Sequence, residues 1–426
     1  MTAAAPSLDQ PICLRRPSLR PWCVRAHLAR PILGAALRRV PVRVTLPDGE
    51  AIGGAAEDEG APTLRILRPT ALFERMAHHP KIGLGEGYMA GDWDAAPGTD
   101  LADALPPFAA RVTTLVPPAL TRLRRLVDRG IPAATRNTLR GSRANIEAHY
   151  DLSNDLFEAF LDPTLSYSSA LFDTARPLAE QSLEEAQRAK IEAVLDTAEV
   201  RAGSRVLEIG TGWGSLAIAA ARRGASVTSI TLSREQAELA QERVAQADAE
   251  HPGLADRVEI RLQDYREVSG QFDAIVSVEM IEAVGEEYWP TYFRALDDLL
   301  APGGVVAIQA ILMAHDRYLA TRNSYGWIQK HIFPGGLIPS TQAIEETTRQ
   351  HTALQVTGTR HFGRDYAETL RRWRATFLAQ WPTIAAAGFD ETFRRTWEFY
   401  LAYCEAGFAA GYIDVAQIRL EREVLA

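Results

Sequence analysis

The chain has few of the residues and patterns that mark several large classes of protein. Its 3 cysteines, Cys13, Cys23 and Cys404, form no Cys-X-X-Cys pair, which argues against a disulfide framework or a zinc site. No run of about 18 apolar residues occurs, so the sequence contains no candidate membrane span. Its 9 histidines show no metal-ligand spacing apart from the adjacent pair His78 and His79. The sequence therefore predicts no metal site and a protein of the reducing cytoplasm.

Acidic residues are absent from a long stretch near the N-terminus, although the formal net charge of the chain is -8. Eight arginines and no acid lie between Arg15 and Arg43. Eight more arginines lie between Arg111 and Arg143, with Asp128 as the one acid among them. Arginine blocks of this kind attract phosphate groups. Composition alone leaves open whether they contact a phosphate-bearing partner or only form a solvated surface.

The length of 426 residues and a change of pattern near residue 140 predict two domains. Residues 1–140 are typical of a small α+β domain with a basic N-terminal arm. Its expected elements are an amphipathic helix at 32–40, a hairpin around 47–49, a strand at 64–67, a loop with three glycines at 83–87 and a basic helix at 120–129.

From residue 141 to 426, helical segments alternate with short β-rich runs, the pattern of a doubly wound, Rossmann-like α/β domain with a parallel sheet. Aromatic residues at helical spacing between Trp397 and Phe408 predict a buried helix face. The predicted strands are 205–209, 226–230, 258–262, 274–278 and 304–311.

The strongest local signal is an apolar strand that ends near Glu208 and continues into a turn with three glycines, Gly210, Gly212 and Gly214. Glycines allow a tight turn and let a ligand approach the backbone. Dinucleotide enzymes also use such turns. S-adenosylmethionine is favoured because Glu208 would repel a pyrophosphate but attract the cationic amino group of methionine. The next strand also lacks the terminal acid that usually holds the ribose of NAD.

The following strands supply further candidate cofactor contacts. Thr231 and Gln236 are candidates for binding the ribose hydroxyls. Asp264 and Tyr265 are candidates for holding the adenine amine and covering the adenine ring. A tight turn without any ligand is the alternative interpretation.

Longer motifs resemble the cyclopropane-fatty-acyl-phospholipid synthase family, and especially its members that make 10-methylene or 10-methyl branched fatty acids. The resemblance extends from about Ile82 to Gly411 and is far more specific than the glycine turn. The segment 83–89 resembles the N-terminal domain of the members that act on phospholipids. The motifs are the segments 83–89, 149–155, 161–164, 167–172, 277–285 and 327–336.

The resemblance implies methyl transfer from S-adenosylmethionine to the cis double bond of an unsaturated phospholipid acyl chain. An alkene is a weak nucleophile, so the protein must align it with the methyl group and exclude water from the resulting carbocation. The family also implies a bound bicarbonate ion as the base. The implied contacts of this ion are Glu282, Tyr366 and the backbone at Ser169, Val278 and Ile311. We expect the variant Glu282→Gln to lose most turnover and to keep cofactor binding.

Two positions depart from the best-known family pattern. Ser169 stands where many members have cysteine, and Gln309 stands where many have a histidine that contacts the anion. Gln309 can donate a hydrogen bond but cannot take a proton, which leaves the fate of the cation open. Loss of the proton before a hydride shift gives a cyclopropane, whereas a hydride shift first gives a methylene branch. The run 307–311 resembles the members that make the methylene branch and favours that product.

The resemblance also implies the surroundings in which the enzyme works. Its partner would be an unsaturated phospholipid in a membrane surface and not a nucleic acid, at the inner face of the membrane in the cytoplasm. The basic segments 32–40 and 120–129 are then candidates for contact with anionic head groups. The cofactor contacts implied by the family are Tyr167, Ser168, Gly210, Gly212, Thr231, Leu232, Gln236 and Tyr265.

Several points stay open at the level of the sequence. They include the acyl-chain length, the head group, a separate reductase partner and a homodimer. A small-molecule methyltransferase on the same fold and a catalytically silent lipid-binding protein are the two competing functions. The intact glycine turn and Glu282 argue against the silent protein.

Overall fold

The computed structural model describes residues 34–111 and 153–423. The chain divides into two compact units. Unit 1 consists of residues 1–131, 323–334 and 370–412, and unit 2 consists of residues 132–322, 335–369 and 413–426. The expected boundary near residue 140 and the basic helix at 120–129 lie outside the described residues. Unit 1 also takes two segments from the C-terminal half of the chain, which no local pattern in the sequence indicates.

Unit 1 contains a four-stranded mixed sheet. Its strands are β1 (Arg43–Thr45), β2 (Ala51–Ile52), β3 (Thr63–Ile66) and β4 (Trp93–Ala95). The order is β2-β1-β3-β4, in which β1 is antiparallel to β2 and parallel to β3, and β3 is antiparallel to β4. The hairpin and the following strand predicted from the sequence are therefore confirmed.

The helices are numbered along the chain. Those before the second sheet are α1 (Pro69–His78), α2 (Pro80–Met89), α3 (Leu101–Ala104), α4 (Pro106–Ala109), α5 (Asn154–Phe160) and α6 (Leu183–Thr197). Those that follow are α7 (Ser215–Arg222), α8 (Arg234–Glu250), α9 (Ile281–Val284), α10 (Trp289–Leu299), α11 (His315–Thr321), α12 (Trp327–His331), α13 (Thr341–His351), α14 (Gly363–Ala379), α15 (Trp381–Ala386) and α16 (Glu391–Ala409).

The predicted loop at Gly83, Gly85 and Gly87 is wrong, because all three glycines lie inside helix α2. Close packing explains these glycines. A Cβ on Gly83 would lie 2.5 Å from the backbone of Arg75, and one on Gly85 would lie 2.5 Å from the indole of Trp327. The glycines cost helix stability, about 1 kcal/mol each, but they let neighbouring groups of unit 1 rest directly on the backbone of α2.

The aromatic stripe predicted to form a buried helix face lies in α16. Trp397, Tyr400 and Phe408 are buried, and Cys404 is partly buried. The stripe is therefore confirmed as core of unit 1. On the same helix, Phe399 packs edge-on against Trp327, with ring centroids 4.9 Å apart.

Unit 2 is built around a seven-stranded sheet. Its strands are β5 (Arg205–Ile209), β6 (Ser226–Thr231), β7 (Val258–Leu262), β8 (Phe272–Val278), β9 (Leu300–Met313), β10 (Leu354–His361) and β11 (Ile413–Arg422). The order is β10-β11-β9-β8-β5-β6-β7. The five predicted strands are present and parallel. Strands β10 and β11 were not predicted, and they extend the sheet in the antiparallel sense.

Strand β5 occupies the switch point of this sheet, since β6 lies on one side of it and β8 on the other. Connections leave such a strand toward opposite faces, so a crevice opens at its carboxyl end, where ligands of doubly wound folds bind. A capping box fixes the start of α6, which packs beside the crevice: Ser182 accepts from the Glu185 N–H at 3.1 Å, and Glu185 accepts from the Ser182 N–H at 2.8 Å.

Candidate active site

A cleft lies at the carboxyl ends of β5, β6 and β8. All the predicted cofactor residues except Gly214 line it. Gly214 instead caps the start of α7 and packs against Ala240 of α8. The residues that line the cleft as predicted are Tyr167, Ser168, Glu208, Gly210, Gly212, Thr231, Leu232, Gln236, Asp264 and Tyr265.

The glycine turn has the backbone geometry that its sequence predicts. Gly210, Gly212 and Gly214 have φ values of +97°, +52° and +88°, in the left-handed region that favours glycine. A Cβ on Gly210 would lie 2.7 Å from the side chain of Met280. At Gly212 no atom lies within 4 Å of the position that a Cβ would take. The backbone at Gly212 is therefore open to a ligand, as the binding of S-adenosylmethionine requires.

Glu208 is a buried acid at the edge of this turn. Its Oε2 accepts a hydrogen bond of 2.5 Å from the Ser229 hydroxyl. Burial raises the pKa of Glu208 to about 8, against the opposing effects of Ser229 and of the charge on Lys190. A cation bound here would stabilise the carboxylate. The site therefore suits the amino group of the methionine moiety.

The other predicted cofactor residues are held in defined orientations. The Thr231 hydroxyl donates to Gln236 Oε1 at 2.9 Å, so the amide nitrogen of Gln236 remains the donor suited to a ribose hydroxyl. Asp264 accepts from the Arg266 guanidinium at 2.8 and 2.6 Å. Tyr265 packs edge-on against Tyr292 at 5.5 Å between centroids, which fixes its ring beside the cleft.

Three of the four predicted catalytic residues meet at Glu279, which lies within the motif 277–285 but was not predicted to have a role. The Tyr366 hydroxyl donates to Glu279 Oε2 at 2.6 Å. Glu279 Oε1 accepts from the Gln309 amide at 2.8 Å and from the Ser169 N–H at 2.9 Å. Glu279 directly follows β8 and lines the cleft. The signal in the sequence that could have identified Glu279 was an acid directly after a predicted strand, at the same edge of the parallel sheet as the glycine turn.

Glu282, the fourth predicted catalytic residue, has different surroundings. Its Oε1 accepts from the Ile311 N–H at 2.5 Å, and its Oε2 has no hydrogen-bond partner within residues 34–111 and 153–423. It lies in the first turn of α9 and is not among the cleft-lining residues. Burial and the neighbouring charge of Glu279 raise the pKa of Glu282 to about 8. Tyr366, Gln309 and Ser169 therefore form hydrogen bonds to Glu279 and not to Glu282.

Lys190 is a second functional candidate that sequence reasoning missed. It is buried in α6, lines the cleft, and donates from Nζ to the Ser168 hydroxyl at 2.7 Å. Burial lowers the pKa of Lys190 to about 8, while the charges of Glu279 and Glu208 act in the opposite direction. A lysine on the apolar face of an amphipathic helix, next to Ile191, was the signal in the sequence.

The family model described as "Mycolic acid cyclopropane synthetase" matches residues 137–418. The chain belongs to this family. It is 51% identical over 401 residues to the tuberculostearic acid methyltransferase of Mycobacterium tuberculosis, covering 93% of this chain and 92% of the relative. It is 35% identical over 390 residues to the cyclopropane-fatty-acyl-phospholipid synthase of Escherichia coli, covering 88% of this chain and 91% of the relative.

A solved structure of a cyclopropane synthetase family member supports the same assignment. The mycolic acid cyclopropane synthase CmaA1, crystallised with SAH and CTAB, superposes with a TM-score of 0.58 at 31% identity. The match covers 66% of this chain and 98% of that structure. The predicted family, the Rossmann-like fold and the assignment as an S-adenosylmethionine-dependent methyltransferase are therefore confirmed.

Proposed function

We propose that this enzyme transfers the methyl group of S-adenosylmethionine to the cis double bond of an unsaturated phospholipid acyl chain and makes a methylene-branched product. The main support for this proposal is the 51% identity to the tuberculostearic acid methyltransferase over 93% of the chain. A methylene branch needs a later reduction to become a 10-methyl branch, so a separate reductase belongs to the proposal. The 35% identity to a cyclopropane-fatty-acyl-phospholipid synthase favours a cyclopropane as the second candidate product.

The residues at or directly after the carboxyl ends of β5, β6 and β7 hold the methyl donor in this proposal. When bound, S-adenosylmethionine supplies an electrophilic methyl group on a sulfonium. The Glu208 carboxylate pairs with the amino group, while Gln236 donates to a ribose hydroxyl. Tyr265 covers the adenine, and Asp264 accepts from its amine. The open space over Gly212 supports this arrangement, because a side chain there would fill it.

Aromatic rings on one side of the cleft shield the reaction from water in this proposal. Tyr167 and Trp213 line the cleft, and Phe157 packs against both, with centroid separations of 5.2 and 4.9 Å. Rings of this kind exclude water, which would otherwise capture a carbocation. Their faces also attract positive charge. This wall supports a reaction that passes through a cation and needs no activated nucleophile.

The substrate implies that the enzyme works at a membrane surface. None of the helices in residues 34–111 and 153–423 is long and apolar enough to cross a bilayer. We propose peripheral binding at the inner, cytoplasmic face of the membrane, with residues 1–140 as the lipid-associating domain. The arginine blocks at 15–43 and 111–143 support this, because each basic residue near an anionic surface contributes about 1 kcal/mol.

Mass spectrometry of phospholipid acyl chains tests the proposal. The enzyme is incubated with labelled S-adenosylmethionine and vesicles of mono-unsaturated phospholipid, and the expected result is a gain of one CH2 per chain. Ozonolysis then separates the products, because it cleaves a methylene branch and leaves a cyclopropane intact. Absence of any mass gain on anionic and neutral vesicles would contradict the lipid methyltransferase and favour a small-molecule substrate or a silent lipid-binding protein.

A further inference from the structure

The position of Glu279 suggests a role in the reaction. The residue directly follows β8 and lines the cleft that the cofactor residues form. Its N–H donates to the carbonyl of Gln309 at 2.7 Å, so the backbone is tied to the neighbouring strand β9. A fixed backbone therefore holds Glu279 beside the cleft in which the proposed function places the methyl donor.

The backbone of Glu279 adopts an unfavourable conformation for its residue type. Its φ of +52° lies in the left-handed region, which costs a non-glycine residue about 1 kcal/mol or more. Glycine would adopt the same conformation without this cost. Backbone strain of this kind is concentrated at active sites, where the surrounding structure compensates for it. The backbone strain at Glu279 is therefore consistent with a functional role for its side chain.

Three donors orient the Glu279 carboxylate: the Tyr366 hydroxyl, the Gln309 amide and the Ser169 N–H. Gln309 is itself held in the donating orientation, because its Oε1 accepts from Gln417 at 3.2 Å. An ionised carboxylate has about four lone-pair sites, so three donors leave one site for a proton. The arrangement favours the charged form and keeps the group able to act as a base.

These three groups are among those that the family resemblance assigns to an exogenous anion, together with Glu282 and the backbone at Val278 and Ile311. In this chain they are already occupied by a side-chain carboxylate. A bicarbonate ion bound by the same three donors would compete with the Glu279 carboxylate for them and would place a second negative charge beside it. Like charges in a partly buried site repel strongly. The geometry therefore points to a built-in base.

We propose that the carboxylate of Glu279 is the base that removes a proton from the newly transferred methyl group, in place of a bound anion. This inference rests on the proposed function, because it needs the carbocation that alkene methylation produces. After the hydride shift, a Glu279 oxygen takes one proton from the methyl group. The electron pair of that C–H bond forms the exocyclic C=C bond, the cation is neutralised and Glu279 becomes a neutral acid.

The electrostatic surroundings fit this role. Burial raises the pKa of Glu279, while Tyr366, Ser169, Gln309 and the charge on Lys190 oppose that rise. A base with a raised pKa accepts a proton more readily than an ordinary glutamate, provided that it is ionised at the working pH. Glu282 is the next acid along the chain. Burial and repulsion by the charge of Glu279 raise the pKa of Glu282 to about 8.

The first experiment measures conversion of mono-unsaturated phospholipid vesicles in buffer freed of carbon dioxide, with and without added bicarbonate. We expect the unmodified enzyme to form product at the same rate in both. The variant Glu279→Gln should lose about 100-fold or more in turnover and keep its affinity for S-adenosylmethionine, measured by calorimetry. Glu287→Gln is the matched control, since Glu287 is an exposed glutamate outside the site.

Chemical rescue gives the sharper test. Glycine at position 279 removes the strain and the carboxylate but leaves the three donors, so Glu279→Gly should regain turnover when sodium formate or bicarbonate is added. A bicarbonate requirement in the unmodified enzyme, or full turnover by Glu279→Gln without bicarbonate, would overturn the proposal. Failure of the unmodified enzyme to methylate any lipid would instead contradict the proposed function, so the two failures are distinguishable.

Discussion

Two glutamates line the same cleft from neighbouring parallel strands, and their surroundings differ. Glu208 lies near the end of β5 and accepts one side-chain hydrogen bond, from Ser229. Glu279 directly follows β8 and accepts three hydrogen bonds, two from side chains and one from the backbone. Burial raises the pKa of both carboxyl groups, and the charge on Lys190 opposes the rise in both. The number of donors is therefore the main difference between them.

This difference indicates when each carboxylate becomes charged. With a pKa of about 8, Glu208 is mostly protonated at neutral pH in the absence of ligand and needs a bound cation to ionise. At Glu279 burial also raises the pKa of the carboxyl group, but three donors oppose that rise and favour the charged form without a bound cation. One acid is thus prepared to recognise a cation, and the other is prepared to accept a proton.

Among the effects on cofactor binding, the largest is expected from the substitution Glu208→Gln. Loss of a charge-assisted hydrogen bond costs about 1.5–3 kcal/mol, so the affinity for S-adenosylmethionine should fall about 10- to 100-fold. Calorimetric titration measures this. The affinity for adenosine, which lacks the amino group, should be unchanged and serves as the control. An equal loss for both ligands would show that Glu208 only supports the fold.

The pH dependence of cofactor binding should separate the two acids further. Because Glu208 must release its proton to pair with the amino group, affinity should rise with pH up to about 8, above which the amino group of the ligand loses its own proton and affinity should fall. The slope below that value is up to about tenfold per pH unit for one linked proton. Calorimetry in buffers of different ionisation enthalpy measures the released proton. A flat profile between pH 6 and pH 8 would contradict the raised pKa.

Tyr366→Phe should have an intermediate effect, confined to the chemistry. Its hydroxyl donates to Glu279 and lowers the pKa of that carboxyl, so removing it should raise the pKa. Turnover should fall about tenfold, and the acid limb of the pH profile should move up by about one unit. Tyr403→Phe is the matched control, because Tyr403 is an exposed tyrosine of α16. A reduced rate with an unmoved acid limb would indicate a structural role for Tyr366.

The contrast between the two acids also explains what the sequence could predict. Glu208 and the three glycines follow one another along a strand and a turn, so their chemistry is visible in a local motif. The partners of Glu279 come from residues 110, 87 and 30 positions away, and only tertiary packing brings them together. For the same reason the close packing that explains the glycines of α2, and the two antiparallel strands β10 and β11, could not be inferred from local patterns.

The smallest effect is expected at Glu282, and this expectation differs from the large loss that the motif predicts. A carboxyl group with a pKa of about 8 is mostly protonated at pH 7, and glutamine is a close replacement for a protonated glutamate. The amide oxygen of Glu282→Gln can still accept from the Ile311 N–H. Turnover at pH 7 should therefore fall by about threefold at most, against the much larger loss for Glu279→Gln. Equal losses in side-by-side assays on the same vesicles would show that the two carboxyl groups share one proton and act as a single base.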